Sequence, residues 1–435
     1  MNQQKYPPAS LAWLVWGLGA AFYFNGFYHR VAPAVMTDQL MAEFQIGAAG
    51  LGNFTAFYLY SYALMQIPAG ILADYWGPRK LLAAGALVAA CGTFLFASSA
   101  SILPANLGRL LIGGAVGVAF VAILRLATRW FESRFFATVS GLTLFCGVGG
   151  AVSAGVPLRF LVDGFGWRPV MFVAAAVLIL IGAAIWTIVR DDPAERGYRS
   201  FAPPERRAAF SPAKLREDLM TVFRFRNTWP LFFVGCGLTG PVLTFTGLWG
   251  VPFLKTLYGI TTAESAAITS MLLIFYAIGG LLMGALSDRI GLRKPVLLAG
   301  SVLALFCWIP ILFLPNLPVW LLMALVIAVG LTSGSVIIGF AFAKESVPSR
   351  FAGTISGVYN MGSIIGAMFL QPAIGVILDL SWRGIFAGGV RIYPVAAYRS
   401  GFVLMILCSS LAAMAIGFTA ETGCRQVGVP DRDDA

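Results

Sequence analysis

Apolar stretches of about twenty residues recur along this chain, from "LAWLVWGLGAAFYFNGF" near the start to "GFVLMILCSSLAAMAIGF" near the end. A helix that crosses a bilayer needs about 20 mostly apolar residues. Twelve such spans are predicted. They lie at 11–35, 49–71, 80–99, 104–130, 136–160 and 168–189 in the first half, and at 229–255, 264–287, 295–315, 318–343, 351–378 and 397–420 in the second. Hydrophobic residues fill 59% of the 435 positions and charged residues only 11%. A soluble domain carries roughly a quarter charged residues, so the solvent of this chain is largely lipid. Spans five and eleven are rich in small residues, as in "GLTLFCGVGGAVSAG", and small residues let helix backbones approach closely in lipid.

One long polar segment interrupts the series, "RDDPAERGYRSFAPPERRAAFSPAKLREDLMTVFRFRN". It divides the chain into a six-helix bundle at 1–190, a central loop at 191–228 and a second six-helix bundle at 229–435. A short surface helix is expected near "PAKLREDLMTVF". With the N-terminus in the cytoplasm, most of the 30 Lys and Arg residues fall on the cytoplasmic side, as the positive-inside bias requires. The expectation is a multi-pass protein of the cytoplasmic (inner) membrane with both termini cytoplasmic. The net charge of +11 is spent in short clusters between apolar runs, which argues against a nucleic-acid partner. The six cysteines show no C-x-x-C pairing, and no metal, cofactor or disulfide framework is visible. The polar N-terminus leads into a segment too long for a signal-peptide core.

The two halves repeat. At an offset of about 215 residues, "GILADYWGPRK" (Gly70 to Lys80) meets "GALSDRIGLRK" (Gly284 to Lys294). "ESRFFATVSGL" meets "VPSRFAGTISGV", and "LVDGFGWR" meets "ILDLSWR", in the same order. The chain is therefore a tandem duplication with parallel halves. In the first matched pair, Gly77 and Gly291 suit a tight turn. Asp74 and Asp288 are placed to cap helix ends or pair with bases. Arg79, Lys80, Arg293 and Lys294 hold the turn on one side of the membrane. Gly70, Asp74, Gly77, Arg79 and Lys80, with Gly284, Asp288, Gly291, Arg293 and Lys294, are the candidate conformational latch between the halves.

These motifs resemble the major facilitator superfamily. The signature G-x-L-A-D-x-x-G-x-R-K stands nearly whole at Gly70–Lys80, and again at Gly284–Lys294 with Ser287 in place of Ala. "LGRLLIGGAVG" resembles the family's fourth-span motif, with Arg109 as its arginine. The antiporter pattern G-P-x-x-G-G is not matched by "CGVGGAVSAGVPL", which departs from drug-efflux members. "FYHRVAPAVM", "LRLATRWF" and "GLWGVPFL" resemble the organic-anion and sugar-phosphate permease branches. The resemblance implies an all-α membrane fold of two pseudo-symmetric bundles, a central cavity lined by spans one, four, seven and ten, and alternating access. A monomer is the family default.

Arginine near the centre of a span costs about 2.5–3.5 kcal/mol to insert, so Arg30 and Arg125 are candidate ligands for carboxylate or phosphate. Secondary substrate candidates are Tyr359, Asn360, Trp249 and Tyr276, with Asn25 and Tyr28 behind them. Helix packing or interface anchoring is the alternative role for each. His29, the only histidine, and Arg109 are candidates for proton coupling, beside a purely structural role for both. No Asp or Glu lies mid-span. The pattern favours a secondary carrier of a small organic anion or zwitterion with protons as coupling ion. A drug or metabolite antiporter and a transporter-like sensor remain the alternatives. An enzyme would need a nucleophile–base or metal constellation that a chain with one histidine does not offer.

Overall fold

The computed structural model describes residues 5–202, 212–315 and 317–426. Long helices dominate it. α1 is Ala9–Val31, α2 Ala48–Trp76, α3 Pro78–Ser98, α4 Ile102–Trp130, α5 Thr138–Phe165 and α6 Trp167–Ile188. α7 is Thr228–Tyr258, α8 Thr262–Ile290, α9 Lys294–Phe313, α10 Val319–Glu345, α11 Ala352–Leu380 and α12 Val395–Gly417. α3 to α12 are each long and apolar enough to cross a membrane. α1 and α2 have 23 and 29 residues and complete the twelve. Large apolar side chains such as Phe145, Leu180, Leu281 and Trp320 stand exposed on these helices. A helix apolar on all sides belongs in lipid, and the protein is a multi-pass membrane protein.

Helix ends differ from the sequence expectation where charge was taken as the stop. α2 runs past 71 to Trp76, and α8 past 287 to Ile290. An exposed acid does not break a helix. The backbone ladder continues until Gly77 (φ 82°) and Gly291 (φ 74°) take the left-handed conformation that only glycine enters at no cost. In the central segment a helix spans Pro212–Val222, within the stretch expected to form one, while 203–211 lie outside the described residues.

The chain forms two units, Met1–Gln39 with Phe57–Phe210, and Leu40–Ala56 with Ser211–Ala435. The first holds α1, α3 to α6 and most of α2. The second holds α7 to α12, the first turns of α2 and a small antiparallel hairpin, β1 (Phe386–Ala387) and β2 (Val390–Arg391). Within each unit, small residues set the closest helix contacts. A Cβ on Gly150 of α5 would lie 2.0 Å from the Phe24 carbonyl of α1, and one on Gly240 of α7 would lie 2.9 Å from Cα of Gly366 in α11.

Candidate functional site

In the first unit, the last turn of α1 carries a basic and aromatic cluster. Arg30 is half-buried, with its guanidinium carbon 3.8 Å from the centre of the Phe27 ring, three residues earlier on the same helix face. Its Nε is buried and donates to nothing. Arg30 is also an electrostatic neighbour of Tyr23, Tyr58 and Tyr62. Tyr58 and Tyr62 stack at 6.0 Å on one face of α2, and Tyr58 Oη donates to the Gly26 carbonyl at 3.0 Å. Tyr23 lies 4.7 Å from Phe27. The result is a guanidinium set among phenols and a phenyl ring, with an N–H still to give. That chemistry suits a carboxylate, sulfonate or phosphate with an organic body.

Arg109 sits one layer deeper. It is 2% exposed and donates to the His29 carbonyl at 2.5 Å, with Tyr58 5.0 Å away. It thereby ties α4 to the last turn of α1. His29 is equally buried, with Nε2 3.4 Å from Thr93 Oγ1. Thr93 gives its one hydroxyl proton to the Ala89 carbonyl at 2.8 Å. The contact with His29 therefore needs Nε2 as the donor. His29 points into helix packing while its neighbour Arg30 stands in the aromatic cluster. Arg125 lies half-buried in α4, beyond the break at Val118. Asn25 donates to Ala21 one turn back.

In the second unit, α7 is interrupted by a π-turn at Phe245–Trp249, just after the in-helix Pro241. Such turns are frequent at functional sites. Trp249 is buried and gives its indole N–H to the Gln371 carbonyl of α11 at 2.9 Å. The Gln371 amide donates to Leu243 at 3.3 Å, and its buried Oε1 accepts nothing. Tyr276 pairs with Thr239 at 3.2 Å. Tyr359 is 1% exposed and donates to the Val336 carbonyl at 2.8 Å, where Gly339 leaves it room. Tyr359 and Trp249 thus spend their polar atoms on the backbone, whereas Asn360 and Tyr276 are half-buried.

The glycine-turn motifs are built differently from the sequence reading. In the first unit, Asp191, just past α6, accepts the Arg79 backbone N–H at the start of α3 at 2.6 Å. A Cβ on Gly77 would lie 2.2 Å from the same carboxylate, so this glycine is needed for close approach as well as for its φ. The Arg79 guanidinium donates to the Trp186 carbonyl, at 3.0 and 2.6 Å. Lys80 is exposed, Gly70 has open space beside it, and the side chain of Asp74 lies outside the described ones. In the second unit, Glu421, just past α12, accepts the backbone N–H of Arg293 and Lys294 at 3.0 and 2.7 Å. Partial burial pushes the Glu421 carboxyl up, but its backbone donors outweigh this and hold it below its ordinary value. Lys294 Nζ donates to the carbonyls of Gly417 and Thr419. A Cβ on Gly284 would lie 3.5 Å from Ile337, an ordinary van der Waals contact.

The acid that caps the third helix of each half is therefore the one after the sixth helix, Asp191 in the first and Glu421 in the second. Asp288 pairs with Arg293 at 2.6 Å, the second of the two roles its position suggested. These partners of Arg79, Arg293 and Lys294 lie in their own unit. Replacing Asp191 with Ala is expected to cost the cap, about 0.5–2 kcal/mol. Asp191→Asn, which keeps an acceptor, should cost less. Thermal unfolding of the two variants checks this order.

Sequence reasoning missed Tyr23, Tyr58, Tyr62 and Gln371. The signal for two of them was present, since Tyr58 and Tyr62 stand four apart in "FYLYSYALM".

A family model described as Major Facilitator Superfamily matches residues 15–251 and 244–407. The "Probable sulfoacetate transporter SauU" of Cupriavidus necator is 26% identical, over 84% of this chain and 87% of its own. The "Probable hexose phosphate transport protein" of Chlamydia pneumoniae is 25% identical, over 85% of both. Among solved structures, a bacterial homologue of the human lysosomal transporter Spinster, inward-facing and unoccupied, superposes with a TM-score of 0.72 at 18% identity. That match covers 95% of this chain and 97% of that one.

Proposed function

We propose that this chain, which belongs to the Major Facilitator Superfamily and is a membrane transporter rather than an enzyme, carries a small organic anion or zwitterion. The observation that carries the reading is Arg30, a half-buried guanidinium with a free buried N–H among Phe27, Tyr23, Tyr58 and Tyr62. Among the described residues it has no carboxylate partner, so its counter-charge is left for a ligand. The names of two relatives, for sulfoacetate and hexose phosphate, support the same class of cargo. Arg125, Asn360 and Tyr276 are the secondary contacts in this reading. Proton symport is the proposed coupling, with the inner membrane as the site, both termini cytoplasmic and the monomer as the unit.

The purified protein is tested by thermal shift against sulfoacetate, glucose 6-phosphate, an amino acid and the lipophilic cation tetraphenylphosphonium. A ligand at a hundred times its Kd stabilises the folded state by about 2.7 kcal/mol. Melting temperature should rise with an acid, and proteoliposome uptake of that acid should collapse with a protonophore. A rise with the cation alone would overturn the anion reading. Uptake indifferent to the protonophore would overturn the coupling.

A further inference from the structure

The start of α2 is held by an acid that belongs to another helix. Ala48 and Ala49 donate their backbone N–H groups to Asp379, at the end of α11, at 3.1 and 2.9 Å. Ala48 N–H also reaches Tyr393 Oη at 2.9 Å, and Tyr393 gives its own proton to Asp379 at 2.5 Å. Arg391, in β2, donates to the same carboxylate at 3.1 Å. Burial and the Asp379 carboxylate push the Tyr393 phenol up, so it stays a donor. All of these residues lie in the second unit.

The first N–H groups of a helix have no partner within it, and the local sequence supplies none here. The stretch "IGAAGLG", Ile46 to Gly52, has no Ser, Thr, Asn or Asp for a cap. Everything about it favours close approach instead. A Cβ on Gly47 would lie 2.5 Å from Asp379 Oδ1. One on Gly52 would lie 2.5 Å from the Gln371 carbonyl oxygen, and one on Gly375 would lie 2.3 Å from that of Ala48. The backbones of α2 and α11 therefore meet through glycines, and the carboxylate closes the end of the seam.

The repeat makes this arrangement informative, because the other half does otherwise. α8, the counterpart of α2, caps itself. Thr261 Oγ1 accepts the Glu264 N–H at 3.2 Å, and the Glu264 carboxylate accepts the Thr261 N–H at 2.8 Å. Asp163, the counterpart of Asp379, is bonded to Arg159 one turn earlier on its own helix, at 2.9 Å.

We propose that Asp379 is a cap supplied in trans that couples the order of the first turns of α2 to their docking on α11, forming a latch that opens and closes during transport. Docked, α2 has a cap and a charge of the right sign at the positive end of its dipole. Undocked, it has neither, whereas α8 keeps its cap in any position. Asp379 is a positioning residue here and touches no cargo. The latch rests on the transporter reading for its purpose, but its test needs no substrate.

The test is hydrogen–deuterium exchange of the full-length protein in nanodiscs, read on peptides 45–56 and 260–272, since local opening is what exchange reports. Asp379→Ala should speed exchange across 45–56 tenfold or more and leave 260–272 unchanged, which also shows that the fold survives. Gly52→Leu keeps the carboxylate but blocks the approach, and should give the same pattern. Adding Gly47→Ser to Asp379→Ala returns a local cap. It should protect the first-turn amides while 51–56 stay fast. Unchanged exchange in Asp379→Ala or in Gly52→Leu overturns the latch. Full protection of 45–56 by Gly47→Ser also overturns it, because Asp379 would then be a cap and nothing more.

Discussion

Arg30→Ala is expected to remove uptake of sulfoacetate or glucose 6-phosphate, whichever the wild type accumulates, while the protein stays folded. The two halves of this expectation have separate physical grounds. A hydrogen bond to a charged group contributes about 1.5–3 kcal/mol, and a guanidinium gives a carboxylate or phosphate two of them. Their loss lowers affinity by about two orders of magnitude or more. Folding loses little, because among the described residues the buried Nε of Arg30 has no partner to abandon and the guanidinium packs on the Phe27 ring of its own helix. Arg30→Lys should rescue poorly, since an ammonium cannot present the planar fork. Arg109→Ala is the informative contrast. It strips a donor from the buried His29 carbonyl, so its transport defect should come with a lower melting temperature. Normal uptake in Arg30→Ala, in protein with wild-type Tm, would remove Arg30 from the site.

The sequence revealed the spans because lipid imposes length and apolarity on each segment independently. The duplication was legible for the same reason, since each half carries its own glycine turn at Gly77 and Gly291. Arg30 was legible because a guanidinium is costly at membrane depth. Its surroundings were not. Tyr58 and Tyr62 reach Arg30 only through the packing of α2 against α1, which no local pattern encodes. The caps were hidden by distance along the chain. Asp191 and Glu421 stand 112 and 128 residues from the N–H groups of Arg79 and Arg293 that they satisfy, and Asp74 and Asp288 were nearer candidates. Tyr359 shows the converse. Its place in the middle of α11 suited a ligand contact, yet Gly339 opposite it lets the hydroxyl turn to the Val336 carbonyl.

Arg293→Ala is expected to be far more destabilising than Asp288→Asn, although the two residues form one ion pair in the repeated motif. Arg293 is 8% exposed, and its guanidinium bonds Glu345 at 2.7 and 3.0 Å, Asp288 at 2.6 Å and Ser287 at 3.1 Å. The Glu345 carboxylate, working against the cost of burial, pushes the Arg293 guanidinium up from its ordinary value. Removing one member of a buried pair leaves the other uncompensated, at about 3–5 kcal/mol. In Arg293→Ala that member is Glu345, whose side chain is 14% exposed and, among the described residues, would keep only the Thr422 hydroxyl as a donor. The Asp288 side chain is 70% exposed, so solvent takes over when its charge is removed, and the loss should stay within about 1 kcal/mol. The second unit thus uses its motif arginine to join the ends of α8, α9 and α10 to the segment after α12. Thermal unfolding of the two variants in detergent separates this from a motif whose acid and base matter equally. Equal losses would mean that Asp288, not Glu345, carries the pairing. A large loss for Arg293→Ala alone would place the strength of the motif in the buried carboxylate that the repeat signature does not contain.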